Sequence, residues 1–444
     1  MAMKRSLYGK ILRLGFPILI GQLGTIVVAF ADTTMVGHYS TEALASASFV
    51  NNLFNVIVFA SLGFAYGLTP LAGALFGRGE NRQIGTLMRS AVVVNLVFAL
   101  VLTAIMTAVY LNVDRLGQPR ELLPIIRPYY LTVMAGLIPL ALFNIFAQWS
   151  YAVNRTRMPM WIILGCNALN ILGNYLLIYG HWGFPELGLL GAGVSTLVAR
   201  IMCAAVIIGI FFFSRRFAEY RRGFAESRID RSSASVIIKT SLPVSLQMIF
   251  ESGSFTMAAI MAGWIDKISL ASFQVIVILG TLGFCVYYSM AAAVSVLVSN
   301  ASGVGDQRLM RQTSFAGYRI MLVLATLSSA TFVVAGPAVM HLFTDDPRVV
   351  ALSLTLIVPL VLYQYGDATQ ITFANALRGT SNVMPMVWIS FVSYVVVGIP
   401  ATWILGFPMD LGIYGIILSF SVSLFLAATL FLWCFMRTTK ERTS

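Results

Sequence analysis

Charged residues are scarce in this chain. Asp, Glu, Lys and Arg make up 10% of its 444 residues, whereas 58% are hydrophobic. A soluble globular protein carries roughly 25% charged residues, so this composition excludes a chain that coats its whole surface for water. Apolar stretches of about 20 residues recur along it, and each could cross ~30 Å of hydrocarbon as a helix. The composition therefore predicts an integral membrane protein built from helices, which satisfy their own backbone hydrogen bonds in lipid.

Cysteine and histidine are also rare. The four cysteines fall in apolar segments without paired spacing, and the three histidines lack metal-ligand spacing. Neither a zinc site nor a disulfide framework is therefore expected. Gly77-Arg78-Gly79 is not followed by Lys and Ser or Thr, so this segment is not a phosphate-binding loop. We expect no enzymatic activity and no cofactor.

Twelve apolar runs separate at charged or Gly/Pro-rich breaks and predict twelve membrane helices. They lie near 11–36, 45–72, 88–112, 124–148, 158–180, 189–214, 236–262, 271–298, 312–338, 349–375, 384–406 and 411–436. With the N-terminus placed inside, 23 of the 29 Lys and Arg residues fall in inner segments and five in outer segments. This bias predicts that both termini are cytoplasmic. The net charge of +12 then reflects membrane topology, and no nucleic-acid partner is expected.

The second half of the chain repeats the first at a constant offset of 226 residues. Pro17 matches Pro243, GRGENR at 77–82 matches GVGDQR at 303–308, and MPM at 158–160 matches MPM at 384–386. Each copy holds six helices, so both halves have the same direction through the bilayer, as in parallel-repeat transporters. We expect an N-terminal bundle at 1–214, a basic cytoplasmic linker at 215–235 and a C-terminal bundle at 236–444. The basic linker is expected to be a solvated connector.

Four charged residues are singled out as lying inside the membrane part of the predicted helices: Asp32, Arg200, Glu251 and Asp367. Such residues are costly in lipid and indicate function by default. Glu251 and Asp367 both fall near mid-membrane, where two carboxylates repel unless a proton or cation neutralises them. Tyr363 lies one turn before Asp367 and could offer a cation its ring face or hydroxyl. Oxygen ligands of this kind suit an alkali cation, so Glu251 and Asp367 form a candidate Na⁺ site.

A second polar cluster is predicted in the first half. Asn170 and Asn174 share one helix face, and with Asp32 and Thr196 they could form a site or simply tie helices together by hydrogen bonds. Arg200 could be a counter-ion for an acid, could extend toward the membrane surface, or could pair with backbone carbonyls.

Two prolines occupy matching positions in the two halves. Pro17 and Pro243 are candidate helix bends, either movable or static.

Several motifs together resemble those of the multidrug and toxic compound extrusion (MATE) transporters. They are FADTTMVG at 30–37, FGRGE at 76–80, NILGNY at 170–175, YGHWGFPELG at 179–188, IFE at 249–251, YQYGDATQ at 363–370 and LRG at 377–379. Each motif is weak alone, but their order and spacing from residue 12 to residue 437 are specific. The chain is most similar to the NorM-type bacterial exporters.

This resemblance implies a V-shaped pair of six-helix bundles and antiport of Na⁺ or H⁺ against cationic, often aromatic, drugs. It implies that Glu251 and Asp367 form the cation site and that Asp32 contributes to coupling. It also implies a bacterial cytoplasmic membrane protein, which we expect to be a monomer. In one point the chain differs: Asn174 stands where the DinF-type branch has an aspartate, which favours Na⁺ or a site centred on Glu251 and Asp367.

The alternative function is a lipid-linked precursor flippase of the wider superfamily. A flippase of this kind is expected to line its cavity with basic residues for the pyrophosphate. The predicted membrane interior holds three acids and one arginine, which favours the antiporter.

Overall fold

The first half contains six membrane helices, of which the first four extend beyond their apolar runs. The computed structural model describes residues 2–116, 119–341 and 346–440. The helices of the first half are α1 (Ala2–Tyr39), α2 (Thr41–Gly77, two helices that meet at Gly67), α3 (Asn81–Leu111), α4 (Leu123–Ala135 and Leu137–Ala152, which meet at Gly136), α5 (Arg157–Tyr179) and α6 (Leu189–Phe213).

The second half follows the same order. Its helices are α7 (Arg231–Ile265), α8 (Lys267–Gly303), α9 (Gln307–Val334), α10 (Pro347–Thr355 and Ile357–Gly379), α11 (Met384–Gly406) and α12 (Gly412–Thr438). Within the described residues, eleven helical segments are long and apolar enough to cross a membrane, and the two helices of α10, bent by 52°, make a twelfth. The predicted all-helical fold of twelve membrane segments is confirmed.

Several helices start at a capping side chain that the sequence supplies. Ser40 accepts a hydrogen bond from the N–H of Ala43 at 2.9 Å before α2, and Asp266 accepts one from the N–H of Ser269 at 2.7 Å before α8. A capping oxygen satisfies one of the backbone N–H groups that have no partner in the first turn of a helix. The hydrogen bond from the N–H of Ser269 holds the pKa of Asp266, which lies between α7 and α8, below its ordinary value.

The internal repeat is confirmed at the level of backbone hydrogen bonds. Gly79 and Gly305 both adopt the left-handed conformation, with φ of 77° and 74°. The N–H that follows each glycine donates to a carbonyl five residues earlier, from Glu80 to Leu75 at 3.0 Å and from Asp306 to Ala301 at 3.1 Å. Glycine is the residue that adopts this conformation at least cost, which explains why both copies keep it.

Two compact units are present, and they differ from the two sequence halves at the ends of α1 and α7. One unit contains residues 20–245, and the other contains residues 1–19 and 246–444. The changeover comes two residues after Pro17 in α1 and two residues after Pro243 in α7. The first residues of each long helix therefore pack with the opposite sequence half.

The basic segment after α6 leaves most of its side chains exposed, but part of it packs on protein. It forms a helix, Ala218–Glu226, here called the linker helix, which packs on the first half. The rings of Phe217 and Tyr220 meet Trp149 edge-on, with ring centroids 4.9 and 5.6 Å apart. The sequence did not predict this contact because the aromatic residues are interspersed among arginines, and an aromatic ring can be buried while the neighbouring charges stay in water.

Polar contacts also fasten the linker helix to α3. A Cβ at Gly85 would lie 1.9 Å from the carbonyl oxygen of Tyr220, so only glycine permits this close backbone approach. Arg89 donates to the carbonyl oxygens of Phe224 and Ala225, both at 3.2 Å. Its guanidinium thus satisfies carbonyl groups at the end of the linker helix, where cations are favoured.

Candidate functional site

The two acids of the second half, Glu251 and Asp367, interact electrostatically. Asp367 in α10 is 1% exposed and Glu251 in α7 is half-buried, and their charges interact. Among the described residues, the Oδ2 atom of Asp367 has no hydrogen-bond partner. A buried carboxylate oxygen without a donor is costly, so this atom is available to a proton or a cation.

Tyr363 borders the same place. It is 8% exposed and interacts electrostatically with both Asp367 and Glu251. Gly280 on α8 makes room for its ring, because a Cβ there would lie 3.3 Å from it. Phe255 and Phe420 meet the ring edge-on at centroid distances of 6.2 and 6.3 Å. The structure therefore brings Glu251, Asp367 and Tyr363 together, with the rings of Phe255 and Phe420 packed beside Tyr363.

Tyr394 is a member of this cluster that sequence reasoning missed. It lies in a π-helical stretch of α11, Phe391–Gly398, and is 2% exposed. Its hydroxyl has no hydrogen-bond partner among the described residues, and it interacts electrostatically with Glu251, Asp367 and Tyr363. π-Helical turns are rare and occur often at functional sites. The available signal was the adjacent polar pair Ser393 and Tyr394 within the predicted helix 384–406.

Arg378 offsets part of the negative charge in the second half. It lies in the last turn of α10, is 4% exposed and interacts electrostatically with Glu251. Its guanidinium donates to Asn375 Oδ1 at 3.2 Å and to the hydroxyl of Tyr288 at 3.5 Å. Two carboxylates and one guanidinium leave one carboxylate uncompensated when both acids are ionised.

The predicted first-half cluster is also assembled. Asn174 donates its amide to Asp32 Oδ1. With its nitrogen oriented toward the carboxylate, Asn170 donates to the same oxygen at 2.9 Å and accepts from the hydroxyl of Thr196 at 3.1 Å. Gly173 makes this packing possible, because a Cβ there would lie 2.4 Å from the hydroxyl of a serine on α6. Small residues of this kind let membrane helices approach closely.

Arg200 extends toward the break in α4. A Cβ at Gly136 would lie 2.8 Å from its Nη1 atom. Its charge interacts with Asp32 and with Tyr129. The structure therefore places the arginine that the sequence left unassigned beside the first-half cluster, and not with the acids of the second half.

Comparison with known proteins gives consistent matches to both halves. The family model MatE matches residues 17–176 and 243–404, which are two copies at the offset of the repeat. A probable multidrug resistance protein NorM from Geobacillus kaustophilus is 26% identical over 91% of this chain and 90% of its own length. Multidrug resistance protein PmpM from Pseudomonas aeruginosa is 28% identical over 89% of this chain and 83% of its own length.

Solved structures share the fold. A MOP superfamily transporter from Pyrococcus furiosus has a TM-score of 0.89 at 18% identity, covering 97% of this chain and 96% of its own. The eukaryotic MATE transporter AtDTX14 has a TM-score of 0.87 at 18% identity, covering 98% of each chain.

Proposed function

Because the chain belongs to the MatE family, we propose that it is a secondary antiporter that exports cationic and aromatic organic compounds in exchange for Na⁺ or H⁺. The observation that carries this proposal is the electrostatically coupled pair Glu251 and Asp367 inside a membrane bundle. Two acids within lipid require neutralisation, and an exchangeable cation supplies it.

The proposed cation site contains Glu251, Asp367 and Tyr363. The free Oδ2 atom of Asp367 supports an additional ligand there. Carboxylate and hydroxyl oxygens are hard ligands, which suit Na⁺. One uncompensated carboxylate, after the charge of Arg378 is counted, supports one monovalent cation per cycle.

The exchange follows from competition for the same negative charge. A cation that neutralises Glu251 and Asp367 weakens the binding of an organic cation in that region. A bound organic cation weakens the binding of the ion in return. Such coupling is reciprocal by thermodynamic necessity. The aromatic side chains Phe255 and Phe420, which pack around Tyr363, offer an organic cation apolar contact and ring faces.

Movement between two access states is assigned to the long helices. Pro17 and Pro243 each precede by two residues the point where their helix passes from one compact unit to the other. A proline removes one helical hydrogen bond and permits bending there. We propose these positions as hinges, with 1–214 and 236–444 as the two bundles and 215–235 as the linker.

A role in coupling is proposed for the first-half cluster. Asp32 is held by the amides of Asn174 and Asn170, with Thr196 behind them. These groups fix the carboxylate in position while leaving the second-half site to bind the exchanged ion.

The flippase alternative has less support. Within the described membrane helices, Arg200 and Arg378 are the buried or half-buried arginines of the two acid clusters, and each lies near an acid. A pyrophosphate carries several negative charges and needs an excess of positive charge around it.

We place the protein in a bacterial cytoplasmic membrane, with both termini cytoplasmic, and we expect it to act as a monomer. The concentration of Lys and Arg in the linker and in the other segments on the same side supports this orientation. Reaction of single surface cysteines with a membrane-impermeant reagent on whole cells tests it. Labelling at the linker from outside would contradict the orientation.

Efflux from proteoliposomes tests the function. Purified protein is reconstituted, and ethidium export is followed under a Na⁺ gradient alone and under an H⁺ gradient alone. We expect one of these gradients to drive export, and we expect Glu251→Gln and Asp367→Asn each to abolish it. Arg127→Gln, which removes an exposed charge paired with Asp114, is the matched control.

Two results would contradict the proposal. If neither gradient drives any organic cation, the chain is not this kind of antiporter. If both acid variants export at the rate of the unmodified protein, the proposed ion site is wrong.

A further inference from the structure

Two of the four cysteines meet between α5 and α6. Cys166 in α5 is 8% exposed, Cys203 in α6 is half-buried, and both are free thiols. The two thiols form a hydrogen bond with each other. Cys166 belongs to the apolar core of the first half, and Cys203 packs against that core. Sequence spacing did not indicate this pair, because the two cysteines lie on different helices.

Other contacts between α5 and α6 give the same register. The helices are antiparallel, and a Cβ at Gly173 would lie 2.4 Å from the hydroxyl oxygen of Ser195. That hydroxyl donates to the carbonyl oxygen of Asn170 at 2.7 Å. About two helical turns farther along the interface, one helix has gone back to Cys166 and the other has advanced to Cys203. The packing of the two helices therefore places these cysteines opposite each other, independently of the bond between the thiols.

The pair lies at membrane depth and at the edge of an apolar surface. Cys166 is about 14 Å from the start of α5, and Cys203 is about 15 Å from the end of α6, so both are well inside their spans. Ile201, Met202 and Val206, which neighbour Cys203 on α6, are exposed apolar side chains. An oxidant dissolved in the hydrocarbon can therefore approach the half-buried sulfur, whereas a polar oxidant must leave water to do so.

We propose that Cys166 and Cys203 are a redox-active pair, which a lipid-soluble quinone oxidises to a disulfide that joins α5 to α6. Two S–H bonds break and one S–S bond forms. The quinone takes up the two electrons and the two protons and becomes a quinol. Both reactants and both products are uncharged, so the overall reaction places no net charge in the hydrocarbon.

The disulfide would fix α5 against α6 inside the first half. Asn170 lies one helical turn after Cys166 on the same face of α5, so the link forms beside the hydrogen bond between Asn170 and Ser195. A disulfide also restricts the unfolded chain, which raises the stability of the folded protein. The oxidised protein should therefore unfold at a higher temperature than the reduced protein.

Cleavage between the two helices tests the link directly. A protease site is inserted after Gly183, an exposed residue of the loop between α5 and α6. The protein is reduced, reconstituted into liposomes and treated with decylubiquinone, a short-chain quinone. Remaining thiols are then blocked with N-ethylmaleimide, and the chain is cleaved and run on a denaturing gel. Cys166 is on one fragment and Cys203 is on the other, so only a disulfide between fragments keeps them joined.

We expect the quinone to leave most cleaved chains joined, and a reducing agent to separate them. The intact protein should lose the mass of two hydrogen atoms. Cys166→Ser and Cys203→Ser should each abolish the joining and the rise in melting temperature. Cys434→Ser, which removes a buried cysteine of the second half, is the matched control and should behave as the unmodified protein. If a serine variant folds poorly in the reduced state, Cys203→Ala removes the same sulfur without adding a hydroxyl group.

Three results would overturn the inference. The first is that the fragments of the unmodified protein stay separate after treatment with the quinone. The second is that they stay joined in Cys203→Ser or Cys203→Ala, which would assign the link to another cysteine. The third is that oxidised glutathione, a water-soluble disulfide, joins the fragments as fast as the quinone does, which would contradict oxidation from the lipid.

Discussion

The hydroxyl of Tyr394 has opposite expected effects on fold stability and on ion binding. Tyr394→Phe removes this one group and keeps the ring, so it leaves no large cavity. The hydroxyl is buried and has no partner among the described residues, and an unsatisfied polar group of this kind costs about 1–3 kcal/mol. In the absence of the transported ion, the variant should therefore be more stable by a free energy of about this size.

Tyr394→Phe should have an unfavourable effect on binding of the ion. If the hydroxyl oxygen contacts a cation held by Glu251 and Asp367, its removal loses an interaction with a charged group, worth about 1.5–3 kcal/mol. This corresponds to a loss of roughly 10- to 100-fold in Na⁺ affinity. A residue that served packing alone would not raise stability while lowering ion affinity.

The assay combines two measurements on purified protein. Thermal unfolding is recorded in choline and in Na⁺, and binding of radioactive Na⁺ is measured by equilibrium dialysis. Because a ligand that binds only the native state stabilises it, the rise in melting temperature caused by Na⁺ should shrink in Tyr394→Phe. Unchanged Na⁺ affinity, with higher stability in choline, would refute the placement of Tyr394 in the site.

Tyr130→Phe is the matched control for this measurement. Tyr130 is a fully buried tyrosine of the first half, and its hydroxyl donates to the carbonyl oxygen of Met106 at 2.7 Å. Its removal breaks a satisfied hydrogen bond, so stability should fall by about 0.5–1.5 kcal/mol with no change in Na⁺ affinity.

Three further predictions concern other parts of the chain. Gly223→Ala would place a Cβ 1.9 Å from a carbonyl oxygen of α3, so the linker helix should detach from α3 and trypsin should cleave it faster. Gly209→Ala is the control, because a Cβ there has nothing within 4 Å, and it should not change the rate of cleavage. Asn174→Asp replaces the amide that binds Asp32 with a second carboxylate, and the two acids cannot both stay ionised, so export should acquire a new pH-dependent step. A pH profile without that step would contradict the contact. The pKa of Asp266 in the folded protein lies below its ordinary value of 3.8, so the ionised carboxylate stabilises the fold fully above pH 3.8. This stabilisation is lost as the pH falls through the folded-state pKa. Asp266→Asn should therefore make the fall of melting temperature in acid less steep. An equally steep fall in the variant would refute it.

Hydropathy and the repeated glycine and proline positions were sufficient to predict the fold. Apolar length reports membrane helices because lipid forces every backbone group into an internal hydrogen bond. The glycines at 79 and 305 marked the repeat because both adopt a left-handed turn. Asp32, Glu251 and Asp367 could be found for a similar reason, since a charge inside a membrane helix stands out in sequence.

Features that depend on packing between helices were not accessible in this way. The linker helix is buried through aromatic residues that alternate with arginines, so its composition indicated a solvated segment. Tyr394 is an ordinary polar residue in the sequence until the structure shows it buried beside Glu251 and Asp367. The position of Arg200 depends on Gly136, which lies 64 residues earlier and leaves space for its side chain.

We propose that the exchanged cation binds at Glu251 and Asp367 in the second half. Equilibrium dialysis with radioactive Na⁺, repeated across a range of pH, measures this binding without any substrate. We expect saturable binding of one Na⁺ that is displaced as the proton concentration rises, that disappears in Asp367→Asn and that persists in Asp32→Asn. Na⁺ binding that survives in Asp367→Asn and is lost in Asp32→Asn would place the site in the first half instead.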